Sequence, residues 1–165
     1  MLKLFVIDHG KDVKNLVIQQ DLEDIEDFLR RGGRLFNCQD LMGKPFEYGG
    51  RGPDAYDCYG LMIELNKRLD RQMPQDYISM EDCYGIQEQI NDAKLSIFHE
   101  LEEPKPFCLV TFFIIPRVTS HIGMVLPSLY QFIHIMRNTS VSIDRLDSIE
   151  WKNRITGYWE HVSWK

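Results

Sequence analysis

The chain has 165 residues, 44% hydrophobic and 27% charged, which supports one folded domain and excludes a disordered, collagen-like or disulfide-dense protein. A chain of this length buries enough surface to need no disulfide or metal for its core. Its net charge of −6 disfavours nucleic acid and anionic membrane surfaces, both of which attract a basic surplus.

The opening run, Met1 to His9, is too short and too little apolar for a signal peptide. No stretch reaches the roughly eighteen apolar residues of a membrane helix. The expectation is cytoplasmic synthesis without a signal peptide. Over residues 12–31, Val13, Leu16, Val17, Leu22, Ile25, Phe28 and Leu29 recur at helical spacing, opposite an acidic face, and Gly32-Gly33 ends the pattern. A short helix is expected over 35–42. Residues 43–54 hold four glycines and two prolines, so a loop with special backbone geometry follows.

A second helix is expected over 58–69, with Leu61, Met62, Leu65 and Leu69 on one face and Asp57 at the N-cap. Ser79 and Asp82 open another, to about residue 95. Beyond Pro104 and Pro106 the pattern changes to strands, at 107–115, 120–126, 130–136, 141–144 and 154–159. Helices first and strands afterwards predict an α+β domain, with helices packed on an antiparallel sheet of about five strands.

Four cysteines, Cys38, Cys58, Cys83 and Cys108, show no C-x-x-C pair and no zinc-ligand spacing with histidine. Only Cys58 stands apart. It opens a helix directly after the capping Asp57 and follows a glycine-rich approach. Unpaired N–H groups and the positive dipole end at that place favour thiolate. A thiol nucleophile needs a base, and His121 and His134 fall on consecutive strands. With the turn at 127–130, position 134 lies opposite 123 and position 121 opposite 136. The two imidazoles then share one sheet face as diagonal neighbours, which suits a base and the group that orients it. Ile122, Met124 and Leu126 would face the other layer. A one-residue slip would separate the histidines.

At these residues the sequence resembles the NlpC-type, papain-like cysteine peptidases that cleave peptides of bacterial cell walls. Gly43, Pro45, Gly49 and Gly50, then Asp57, Cys58, Gly60 and Leu61, match the opening motif. His121-Ile122-Gly123-Met124-Val125-Leu126 matches the second motif and Phe132-Ile133-His134 the third, with Gly157-Tyr158-Trp159 in the closing strand. The likeness runs over 35–159. It implies a peptidase domain over 35–165 behind a helical extension over 1–34.

The resemblance implies Cys58 as nucleophile, His121 as base and His134 as orienting group, with no cofactor and no metal. Phe46 stands where the family has a tyrosine that helps hold the oxyanion, leaving Tyr48 as the candidate replacement. Arg51, Asp57 and Tyr59 are the candidate substrate-binding residues. Tyr59 in place of the usual serine, with Gly49-Gly50-Arg51 before it and Met73-Pro74 after the helix, resembles the phage-tail branch. That implies a tail component of a phage or prophage, with peptidoglycan peptide as substrate and other tail proteins as partners. An effector amidase delivered to the periplasm, and a catalytically weak structural or binding module, are the alternatives. An acyltransferase would use the same thioester with another acceptor.

Overall fold

The computed structural model describes residues 5–7, 30, 34–77 and 81–164. It divides into two compact units, residues 1–42 and 43–165. In the first, β1 (Phe5–Ile7) pairs antiparallel with β2 (Arg34–Phe36). A 3₁₀ turn follows at Gln39–Leu41. The helix expected over 35–42 is therefore corrected to a strand end and one tight turn. Asn37 explains part of this, because its side chain accepts the Gln39 N–H at 2.8 Å, a local alternative to helical bonding. The helix expected over 12–31 lies outside the described residues, Arg30 apart.

The second unit has two helices, α1 (Cys58–Arg68) and α2 (Cys83–Ser96), followed by β3 (Phe98–Leu101), β4 (Leu109–Ile115), β5 (Val118–Val125), β6 (Gln131–His134), β7 (Ser142–Arg145) and β8 (Ile155–His161). These six strands form one antiparallel sheet in the order β3-β8-β4-β5-β6-β7. The α+β class is as expected. The sheet gains β3, an edge strand that pairs only with β8. Its four residues are too few for a period to stand out in sequence.

Alternation along the strands makes two apolar layers. On one face Val110 and Phe112 of β4, Val125 of β5 and Phe132 of β6 gather with Cys108, Leu146 and Trp151. On the other, Leu109, Thr111 and Ile122 look toward Ile86 and Ile90 of α2. Leu61, Met62 and Leu65 give α1 the buried face that its 3.6-residue spacing predicts.

Helix α1 starts where Asp57 can cap it. The Asp57 carboxylate accepts the Gly60 N–H at 2.5 Å, which satisfies one of the unpaired first-turn donors. Gly60 is required for a different reason. A Cβ there would run into the backbone carbonyl of Gly50, so the glycine-rich loop can lie directly against the helix start. In an open helix, alanine would gain about 1 kcal/mol over glycine. Here Gly60→Ala is expected to lose about 1–3 kcal/mol through overpacking against backbone, read as a lower urea midpoint with unchanged slope.

Candidate active site

The loop that approaches α1 is fastened on both sides. Glu47 N–H donates to the Tyr56 carbonyl at 3.0 Å, and Tyr56 N–H donates to Pro45 at 3.1 Å. Gly43 N–H donates to Val141 at 3.0 Å and Phe46 N–H to Thr139 at 3.1 Å. Gly49 and Gly52 have left-handed φ values of 72° and 79°, which the expected special geometry requires. The segment before Cys58 is thus held by backbone bonds rather than left to its own preferences.

Cys58 and His121 line the same cavity, which lies between α2 and the sheet. His121 reaches it at an irregular point. Phe112 pairs with His121 while Phe113 pairs with Thr119, so Ser120 is an extra residue in β5. A bulge of this kind re-aims the neighbouring side chain. The β5–β6 register is the one expected from sequence, with Met124 opposite Ile133 and Val125 opposite Phe132. His121 Nε2 consequently lies 2.9 Å from His134 Nδ1.

The relay extends one group further than sequence reasoning reached. His134 Nε2 is 3.0 Å from Asp144 Oδ2, and Trp151 Nε1–H donates to the same oxygen at 3.0 Å. Asp144 was legible by the register logic used for the histidines, because β7 sets Ser142 opposite His134 and Asp144 opposite Phe132. It then falls diagonal to His134 on one face.

The chain of bonds fixes the tautomers. A carboxylate only accepts, so His134 carries its proton on Nε2 and accepts on Nδ1. His121 must then donate from Nε2, leaving its Nδ1 lone pair as the free base. Burial pushes His121 well below the ordinary 6.5, with His134 adding to the effect. Burial also lowers His134, against an opposing pull from Asp144. Both imidazoles are accordingly neutral.

The thiol departs from the sequence expectation of a stabilised thiolate. Burial, followed by the adjacent Asp57 charge, pushes Cys58 up to about 12. The backbone N–H groups of Tyr59 and Cys58 and the Arg51 guanidinium pull the other way and lose. Burial thus favours the uncharged thiol over the thiolate. None of the four cysteines is in a disulfide; Cys38 and Cys108 are buried, while Cys58 and Cys83 are partly exposed.

The candidate substrate-binding residues separate. Asp57 is fully buried and bonded to Arg51 Nη1 at 2.6 Å as well as to Gly60. Arg51 also donates through Nη2 to the Tyr77 carbonyl at 2.9 Å. Its guanidinium therefore braces the loop, the cap and Tyr77 rather than standing open toward a substrate carboxylate. Tyr59 does line the cavity, with its hydroxyl donating to the Pro74 carbonyl at 2.7 Å. Tyr48 does not line it. Its ring meets Phe46 edge-on at 5.0 Å and lies under the Arg137 guanidinium at 5.7 Å.

A pH dependence of stability follows from His121. The unfolded chain protonates this imidazole at about 6.5 and the folded chain only well below that. The unfolded state therefore binds more protons as pH falls below 6.5, and stability declines toward acid. Melting temperature is expected to fall between about pH 6.5 and 5. His121→Phe should flatten that slope.

Among the described residues no group of three or more His, Cys, Asp or Glu is placed to hold a metal ion. Nor is any described helix long and apolar enough to cross a membrane.

No curated protein matches the sequence. Solved structures with the same fold include a Staphylococcus aureus protein described as similar to lipoprotein of the NLP/P60 family, at 18% identity and TM-score 0.52, covering 93% of this chain and 44% of that one. NlpC2 of Trichomonas vaginalis aligns at 23% identity and TM-score 0.52, covering 73% and 44%. A Bacillus cereus NlpC/P60 family protein aligns at 16% identity and TM-score 0.51, covering 76% and 43%. This chain spans less than half the length of each of those three. The sequence pattern of the NlpC/P60 family matches residues 43–160, nearly the whole second unit, and the chain belongs to the NlpC/P60 family.

Proposed function

We propose that this protein is a cysteine-dependent amide hydrolase that cleaves peptide bonds of bacterial peptidoglycan through a thioester on Cys58. The observation that carries the reading is the meeting of Cys58 and His121 in one cavity, with His121 backed by His134 and Asp144. His121 Nδ1 takes the Cys58 proton as sulfur attacks the scissile carbonyl carbon. Because the thiol is a weak acid here, the proton moves with the attack rather than before it. The tetrahedral adduct collapses, the C–N bond breaks, and the amine leaves with the proton from His121. Water then attacks the thioester, gives its proton to His121, and releases a carboxylic acid and the restored thiol.

The Cys58 backbone N–H at the helix start supplies one oxyanion donor. Tyr48 would have to leave its place beneath Arg137 to supply a second. The division into an extension over 1–34 and a peptidase domain over 35–165 belongs to this proposal, as does a phage-tail setting. The latter rests on Tyr59, the Gly-Gly-Arg run and Met73-Pro74 in the sequence. Synthesis in the bacterial cytoplasm followed by assembly into a virion tail is the matching localisation.

The test is digestion of purified peptidoglycan, with released peptides read by mass spectrometry. New amine ends are expected with the wild type. Their absence with folded protein would defeat the reading.

A further inference from the structure

The cavity that carries Cys58 and His121 has a chemical character that the proposed chemistry does not require. Tyr77, Ile86, Ile90, Phe98, Leu109 and Trp159 are among the residues that line it. Several of the polar atoms in its lining are already engaged. Trp159 Nε1–H donates to the Thr111 hydroxyl at 3.0 Å, and that hydroxyl also meets Thr156 at 2.9 Å. The Tyr59 hydroxyl is bound to the Pro74 carbonyl.

Lys94 is the one lining residue with a charged side chain among those described. Its ammonium lies 4.4 Å over the Trp159 ring, a cation–π contact that an incoming anion would have to disturb. Arg51, the nearest other cation to the nucleophile in sequence, is bonded to buried Asp57. A carboxylate entering this cavity would lose its water and find one counter-ion, the Lys94 ammonium that already faces Trp159. An apolar group would lose nothing and gain contact with aromatic and branched walls.

We propose that this cavity is a specificity pocket for an apolar substituent next to the scissile amide, either a hydrocarbon acyl chain or a leucine-like side chain. This goes beyond the proposed cleavage of peptidoglycan peptides, whose residues carry no such group, and rests on Cys58 and His121 as an amide-cleaving pair for the position of the reacting carbon. The two sources of apolar group share one chemistry and differ in shape.

Alkylation of Cys58 reads the pocket without requiring turnover. The probes are iodoacetamide, N-hexyl iodoacetamide, N-iodoacetyl-leucinamide and N-iodoacetyl-glutamate, with modification mapped to Cys58 so that Cys83 does not contribute. Each rate is divided by that probe's rate with free cysteine. At least about a tenfold preference is expected for the hexyl or the leucyl probe over iodoacetamide, since each methylene buried adds to the gain. A faster hexyl probe identifies an acyl chain, and a faster leucyl probe a peptide side chain.

Ala93→Trp, which fills the pocket from α2, should bring that ratio close to one. Ile90→Glu, which places a charge in the wall, should do the same, and thermal melting verifies that each variant is folded. Equal rates for all four probes, or a preference for the glutamate probe, would overturn the proposal. Peptidoglycan cleavage alongside equal rates would leave the hydrolase reading standing and remove the pocket. A tenfold preference without amide cleavage would do the reverse.

Discussion

Cys58→Ala is expected to lower the rate of amide cleavage by at least about 10⁴-fold, because it removes the only atom in this account that bonds to the substrate carbon. His121→Ala should fall nearly as far. Burial pushes the thiol up, which disfavours the free thiolate and makes attack depend on a proton acceptor. Had the helix start produced a thiolate, removing the base would have cost much less. The two losses should be far from additive, and the double variant should be little worse than either alone. Single-turnover rates on one soluble peptide amide check this. A His121→Ala enzyme that keeps a tenth of wild-type activity would mean the thiol ionises unaided.

The second large effect belongs to the relay behind the base. His134→Ala is expected to cost about 10²–10³-fold, within the range of a positioned acid–base group. It leaves the His121 Nε2–H buried without its acceptor, and the ring is then free to turn or to exchange tautomers. Asp144→Ala should cost about 10–100-fold, as orienting partners commonly do. Asp144→Asn should recover most of that loss. One carboxylate oxygen accepts both from Trp151 and from His134, so an asparagine has good reason to put its carbonyl there and its amide outward. The tautomer chain then survives and only the charge is lost. If asparagine were as damaging as alanine, the charge of Asp144 would matter more than its aim. The acid limb of the pH–rate profile separates these, since only lost charge moves it.

Much of this site is legible in the sequence. The α1 start could be read because Asp57, Cys58 and Gly60 are neighbours in sequence and the cap is a local interaction. The histidine pairing could be read because a tight hairpin sets register over a few residues. Asp144 needed the same step applied across the next hairpin, from His134 through the turn at 137–140 to Ser142. Arg51 was harder. Its partners are Asp57 and the carbonyl of Tyr77, and the second lies 26 residues away along a segment with no period. The thiol's direction was not legible, because desolvation depends on the layers that close over Cys58 rather than on its helix position. Likewise β3 is an edge strand defined by pairing with β8, some sixty residues later, and nothing local marks it.

A thioester on Cys58 would be read from the mass of the enzyme caught in turnover. Wild-type protein mixed with a cleavable peptide amide and quenched in acid within one turnover should carry the mass of the acyl fragment. Peptide mapping should place it on Cys58, and hydroxylamine should remove it. Asp144→Ala, slowed in deacylation as well as acylation, provides a longer window on the same species. Cleavage with the adduct on any other residue, or undiminished cleavage by Cys58→Ala, would contradict the account.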